Sequence, residues 1–235
     1  EALLFALMAT CDPKDNILVP EPFYSNYNGF SQSINVNITP ITTKAEEGFH
    51  LPSKEKIQSL ITSKTKAILI SNPGNPTGTV YTKKELYMIS EIAKENDLWI
   101  ISDEVYREFV YDGLEYTSFG NIKEVEDRVI IIDSVSKRYS ACGARIGSIA
   151  SKDKTLIAEI LKLCQGRLCV SALDQVGSVE LYNTPSRAGS SFLQIHPALL
   201  NGGVRTLYQC PPAPLYQSFD NSFQYRVAYK RSVCE

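Results

Sequence analysis

The sequence has few of the residues that build metal or disulfide sites. Two histidines are present and none of the six cysteines forms a C-x-x-C pair, so a zinc site is not expected. The cysteines are sparse for 235 residues, which favours reduced thiols and a cytoplasmic location. The formal net charge of −2 gives no basic surface for nucleic acid. No apolar run approaches the roughly 20 residues of a membrane span, and no signal-peptide pattern opens the chain.

What is present is an alternation of short apolar runs and helical patterns up to about residue 182. Helices are predicted from Glu1, over Ser53–Thr62, after the capping box Thr82–Glu85 and over Asp153–Leu163. Strands are predicted at Asn16–Pro20, Asn35–Ile41, Lys66–Ser71, Leu98–Ser102, Arg128–Asp133 and Ile146–Ala150. Continuous Ile, Val and Leu runs between helices predict an α/β fold, with a mainly parallel sheet covered by helices on both faces.

Three polar stretches directly follow predicted strands, at the edge where such sheets bind ligands. They are S-N-P-G-N-P-T-G from Ser71, S-D-E-V-Y from Ser102, and the stretch from Ser134 that contains S-V-S-K and an arginine eight residues after its lysine. Each alone has an ordinary explanation, because Pro and Gly fix turns and short polar motifs recur by chance. The combination in this order and spacing is specific.

In this order the stretches resemble the signature of the aspartate aminotransferase family, fold type I enzymes that use pyridoxal 5'-phosphate (PLP). The resemblance runs from Glu1 to about Pro185. It implies a PLP-binding large domain over residues 1–182, N-terminally truncated because the chain opens inside a helical pattern. Residues 183–235 form an atypical tail that does not resemble the family's small domain, so the fold is expected to be incomplete at both ends. That tail holds two of the 26 acidic residues, and it is an ordered appendage, a disordered segment, or an out-of-frame or spliced end.

The resemblance also assigns roles, and PLP chemistry explains the residue types. Lys137 matches the lysine that forms the Schiff base with the cofactor and later moves the substrate Cα proton. Asp103 matches the carboxylate that keeps the pyridine nitrogen protonated. Asn75 and Tyr106 match the neutral donors to the ring's phenolic oxygen.

The remaining assignments concern the phosphate and the ring face. Arg145 matches the phosphate-binding arginine, and Ser134 and Ser136 add hydroxyl donors. Tyr24 matches the aromatic residue that stacks on the cofactor ring. No metal ligand is assigned.

The function implied is transfer of an amino group between an amino acid and a 2-oxo acid, by a homodimer in the full-length form; an aspartate-like substrate is left open. The cofactor motifs leave open a PLP-dependent lyase or synthase on the same fold, or a truncated, non-catalytic product. Because the substrate-carboxylate arginine of the family's small domain has no counterpart, the chain as given is expected to be a weak transaminase. A nucleotide-binding doubly wound domain is disfavoured, since no G-x-G-x-x-G follows the first strand.

Overall fold

The computed structural model describes residues 1–182. Within them, six strands lie at Asn16–Glu21 (β1), Asn37–Thr42 (β2), Thr65–Ser71 (β3), Trp99–Asp103 (β4), Val129–Ser134 (β5) and Gly147–Ala150 (β6). The α-helices of the same region lie at Ala2–Thr10 (α1), Asn26–Ser33 (α2), Lys54–Gln58 (α3), Lys83–Glu95 (α4), Val135–Arg138 (α5), Lys154–Arg167 (α6) and Ala172–Tyr182 (α7). The predicted tail, residues 183–235, lies outside the described residues.

The strands form one sheet in the order β2-β1-β3-β4-β5-β6. All neighbouring strands are parallel except β5 and β6, which pair antiparallel at one edge. The predicted mainly parallel sheet is therefore confirmed. Because β3, β4 and β5 are consecutive in both sequence and space, the segments that follow them are neighbours as well.

Each face of the sheet is covered by helices, and successive buried side chains of β1, β3, β4 and β5 point to opposite faces. One face packs Ile68, Ile70 and Ile100 against α3 and α4, with Ile57 and Ile89 at the contact. The opposite face packs its own side chains against α1, α2 and α6, including Ala67, Leu69, Ile101, Ile130, Leu7, Tyr27 and Ile160. The prediction of helices on both faces is thus confirmed. Across residues 1–182, no helix combines the length and apolar character needed to cross a membrane.

The start of α4 shows the predicted capping box. The backbone N–H of Glu85 donates to Thr82 Oγ1 at 3.3 Å, and the Glu85 carboxylate accepts from the backbone N–H of Thr82 at 2.8 Å. The same carboxylate accepts from the backbone N–H of Leu51 at 2.8 Å. The cap therefore also joins α4 to the segment before α3, which fixes the helix against its face of the sheet.

Several elements differ from the sequence-based expectation, among them α6, which runs to Arg167 rather than Leu163, and α7, which was not predicted. α3 ends at Gln58 rather than continuing to Thr62, because the chain turns after Ser59: the N–H groups of Leu60 and Ile61 each donate to a carbonyl three residues back. α2 was not predicted, since its polar sequence N-Y-N-G-F-S-Q-S contains a helix-weakening glycine. β6 pairs antiparallel, an orientation that a four-residue strand does not reveal in the sequence.

Candidate active site

The carboxyl ends of β3, β4 and β5 lie side by side at one edge of the sheet. Ser71 at the end of β3 is opposite Asp103 at the end of β4, and Ile132 of β5 is opposite Asp103 on its other side. The backbone N–H of Asn72 donates to Asp103 O at 3.0 Å, so the pairing continues past the end of β3. The three polar stretches therefore leave the sheet together, as the sequence predicted.

Asp103 holds a buried carboxylate at this edge, only 5% exposed. The Tyr27 hydroxyl donates to its Oδ2 at 2.7 Å, whereas Oδ1 has a longer contact, 3.4 Å, with the backbone N–H of Val105. Burial raises the pKa of Asp103 to about 6, although the two hydrogen bonds and the charge of Lys137 act to lower it. A buried carboxylate of this kind is stabilised by a cationic partner, and Oδ1 is the oxygen with the longer, weaker hydrogen bond.

Tyr27 belongs to the site but was not found by sequence analysis. It lies in the first turn of α2, is 1% exposed, and packs edge-on against Tyr24 with ring centroids 5.6 Å apart. Its ring also stacks on Phe23 at 6.2 Å. Several tyrosines and phenylalanines lie near Tyr27 in the sequence, so nothing distinguished it from them. The available signal was its position one turn after Tyr24, which places both rings on one side of the segment.

Tyr24 and Asn75 lie next to Tyr27 on two different segments. Tyr24 is 37% exposed, and its hydroxyl accepts from Asn26 Nδ2 at 2.7 Å. Asn75 is half-buried and lines a narrow cavity together with Tyr27 and Phe23. Both predicted residues therefore lie on the Tyr27 side of the site.

Lys137 lies in the single helical turn α5, directly after β5. Ser134 caps this turn, since its Oγ accepts from the backbone N–H of Ser136 at 3.0 Å. Lys137 Nζ is 5.5 Å from the centroid of the Tyr106 ring, within the range of a cation–π contact. Its charge also acts on Asp103. The structure thus brings the predicted lysine, aspartate and tyrosine to one place.

Ser134 ends β5, Ser136 lies in α5, and Arg145 lies between α5 and β6. Ser134 Oγ is 2.7 Å from Ser136 Oγ and donates to Ile146 O at 2.9 Å. Arg145 is exposed, adopts a left-handed backbone with φ of 55°, and donates from Nη1 to Cys142 O at 2.8 Å. Among residues 1–182, no ion pair involves Arg145, so its guanidinium is suited to an external anion.

A buried ion-pair cluster, also missed by sequence analysis, supports the segments after β4 and β5. The Asp133 carboxylate is 2.8 Å from Nη2 of Arg107 and 2.8 Å from Nη2 of Arg138. Glu108 contacts Arg138 Nε at 3.4 Å. Because Arg107 follows β4 and Arg138 follows Lys137, the cluster fixes the Tyr106 segment relative to α5. Arginines are common surface residues, so nothing in the sequence marked this pairing.

Glu104 follows Asp103 but points to the opposite face of the sheet. It is fully buried, and its Oε1 accepts from Ser118 Oγ at 2.8 Å, Ser102 Oγ at 3.0 Å and the backbone N–H of Phe119 at 3.3 Å. Burial raises the pKa of this carboxyl as well. Glu104 therefore anchors the loop before β5 and is separated from Asp103 by the strand itself.

The comparisons with known proteins agree with this geometry. The family model "Aminotransferase class I and II" matches residues 1–196. The chain therefore belongs to the class I and II aminotransferase family. Its structure is similar to that of an aspartate aminotransferase from Thermotoga maritima, with a TM-score of 0.73 and 33% identity over 78% of this chain and 48% of that one. This confirms the fold type I architecture.

Individual relatives are similar at a comparable level. The chain is 34% identical over 181 residues to "Putative aminotransferase YugH" of Bacillus subtilis, which is 77% of this chain and 46% of the relative. An alanine aminotransferase from Pyrococcus furiosus has a TM-score of 0.65 and 37% identity, covering 72% of this chain and 43% of that one. The chain thus spans about half the length of the relatives it matches.

Proposed function

We propose that this chain is the cofactor-binding part of a PLP-dependent aminotransferase, which moves an amino group between an amino acid and a 2-oxo acid. One observation carries the proposal. The chain is a member of the aminotransferase family, and its buried Asp103, at the end of β4, is influenced by the charge of Lys137, which follows β5. When bound, PLP would supply an electron sink for the bonds of the substrate Cα.

The donor set fits PLP in its chemistry. Asp103 offers a buried anion whose Oδ1 suits a protonated ring nitrogen. Lys137 offers an amine, held over the Tyr106 ring, for covalent attachment. Arg145 offers positive charge for a phosphate, and Ser134 and Ser136, at the junction of β5 and α5, offer hydroxyls.

The other predicted residues complete this assignment. Asn75 and Tyr106 would donate to the phenolic oxygen of the cofactor ring. The partly exposed Tyr24 would stack on the face of that ring. Asp103 would remain ionised beside the ring nitrogen, because two opposite charges in a buried site favour each other. Lys137, in the short helical turn after β5, would supply the amine that takes the proton from substrate Cα.

The transfer itself is proposed, rather than one particular donor. Relatives of similar identity carry the names aspartate aminotransferase, alanine aminotransferase and asparagine–oxo-acid transaminase. Two further proposals rest on the family resemblance and on composition: that the full-length protein is a homodimer, and that it is cytoplasmic. Light scattering coupled to size-exclusion chromatography would test the first, and fractionation of the source cells the second.

Covalent trapping of the cofactor tests the main proposal. Purified chain would be incubated with saturating PLP, reduced with borohydride and digested, and the labelled peptide identified by mass spectrometry. We expect the label on Lys137, because this lysine lies over the Tyr106 ring and its charge acts on Asp103. Lys137→Ala should abolish labelling.

Lys162 provides the matched control. It is exposed on α6 and pairs with Glu159, so Lys162→Ala should leave the labelling unchanged. Label on another lysine, or equal labelling of wild type and Lys137→Ala, would contradict the assignment of Lys137 and with it the proposed function.

A further inference from the structure

We infer that Tyr27 is a positioning residue, whose hydroxyl fixes the Asp103 carboxylate through Oδ2 and leaves Oδ1 for the cofactor's ring nitrogen. The inference rests on the proposed function for its link to PLP, but the interaction itself exists in the protein alone. It adds a residue from α2 to a site that the sequence assigned to Tyr24 and to the segments after β3, β4 and β5.

The geometry restricts the carboxylate to one orientation. The Tyr27 hydroxyl lies 2.7 Å from Oδ2, and both residues are at least 95% buried. A tyrosine ring has two side-chain torsions and here is held between Phe23 and Tyr24. The packed Tyr27 hydroxyl therefore does not follow a rotation of the Asp103 carboxylate. Such a rotation would break a charge-assisted hydrogen bond in a buried environment.

The charges around Asp103 explain why a neutral donor is useful there. Lys137 favours the ionised carboxylate, whereas Asp133 on β5 disfavours it. Asp133 is itself paired with Arg107 and Arg138, which weakens its effect. The hydrogen bond from Tyr27 favours the ionised form without adding a positive charge that would repel a protonated ring nitrogen.

Tyr27 is also suited to remain a donor. Burial, together with the neighbouring Asp103 carboxylate, raises the pKa of the Tyr27 hydroxyl well above its ordinary value. The phenol therefore stays protonated over the whole range in which aminotransfer would take place. A ring that served only to fill the core would need no hydroxyl, so Phe is the informative replacement.

The test measures the Asp103 carboxyl in the protein without PLP. The protein would be labelled with 13C-aspartate, and the Asp103 carboxyl resonance would be assigned as the one that is lost in Asp103→Asn. Its chemical shift would then be followed by NMR as a function of pH. Tyr27→Phe should raise the pKa of Asp103 by about one unit or more, a tenfold loss of the ionised form at a given pH, since a hydrogen bond to a charged group is removed. Tyr87→Phe, which removes a hydroxyl from the outer side of α4, is the control and should leave it unchanged.

A reciprocal measurement covers the case in which Tyr27→Phe does not fold. The Cζ resonance of 13C-labelled Tyr27 reports its hydroxyl hydrogen bond, and it should shift in Asp103→Asn. It should not shift in Asp15→Asn, which alters a different buried carboxylate. An unchanged Asp103 pKa in a folded Tyr27→Phe, or an unchanged Cζ resonance in Asp103→Asn, would overturn the inference.

The two proposals fail in different ways. If borohydride does not label Lys137 while Tyr27→Phe still raises the pKa of Asp103, the PLP proposal falls and the Tyr27–Asp103 interaction stands. If labelling succeeds and the pKa of Asp103 does not respond, the role of Tyr27 falls alone.

Discussion

The buried carboxylate of Asp103 should make this protein less stable as the pH rises. Folding raises its pKa from 3.8 to about 6, so the folded protein binds a proton that the unfolded chain releases. The cost is absent below about pH 4, increases between about pH 4 and 6, and is complete above that range. At about 1.4 kcal/mol per pKa unit it reaches about 3 kcal/mol. Asp103→Asn removes the titrating group and with it this pH dependence.

The assay is urea unfolding of wild type and Asp103→Asn, without PLP, from pH 4 to pH 7. Asn is a weaker acceptor for Tyr27 and adds a buried amide. Both effects are independent of pH, so they shift the free energy of unfolding of the variant by the same amount at every pH. Glu104 and other groups titrate in both proteins and cancel in the difference. We expect the stability of the variant relative to wild type to increase by about 2–3 kcal/mol over this range. Asp112→Asn, at an exposed loop position, should show no such increase.

A relative stability that stays constant within about 0.5 kcal/mol between pH 4 and 7 would refute the reasoning, because a carboxyl with an ordinary pKa would contribute nothing further above pH 5. The same experiment with saturating PLP gives a second comparison. A cationic partner at Oδ1 should reduce the cost of ionising Asp103 in the wild type.

Further predictions concern the packing that supports the site, each measured by urea unfolding at neutral pH. Ile89→Ala should lower the free energy of unfolding by about 2–5 kcal/mol, because Ile89 is completely buried against the sheet, whereas Leu114→Ala at an exposed loop should change it by less than about 0.5 kcal/mol. Thr82→Ala should cost about 1 kcal/mol by removing the cap of α4, and a neutral effect would contradict the capping box. Arg138→Met should cost about 3 kcal/mol, because Asp133 would keep only one of its two close guanidinium partners; a cost below 1 kcal/mol would show that the cluster contributes little.

The strands could be predicted because their physical cause is local. Buried parallel strands require continuous Ile, Val and Leu, and the predicted runs at β3, β4 and β5 agree with the structure within one residue at each end. The short helix α2 has a weak intrinsic helix preference. It could not be predicted, because it is stabilised by packing of Tyr27 and Phe30 against the sheet face that α1 and α6 also cover.

The site was predicted as a set of residue types after strands, and its supporting contacts were not. Asp103 and Lys137 stand in motifs, whereas Tyr27 reaches Asp103 across 76 positions of sequence. The pairing of Asp133 with Arg107 and Arg138 depends on where two loops meet, which local patterns do not encode. The roles assigned to the site residues remain predictions until the labelling and titration experiments are done.

The adjacent acids Asp103 and Glu104 have a consequence for protein engineering. Because side chains alternate across the sheet, the strand separates two carboxylates that are neighbours in sequence, one facing Tyr27 and the other facing Ser118. Exchanging the two letters would keep composition and charge, yet it would place a longer side chain against a fixed phenol and a shorter one before the hydroxyl of Ser118. Deleting one residue within β4 would be more severe, since it would turn each acid toward the other's partners. Designs that graft this site onto another sheet must therefore preserve strand phase as strictly as residue identity.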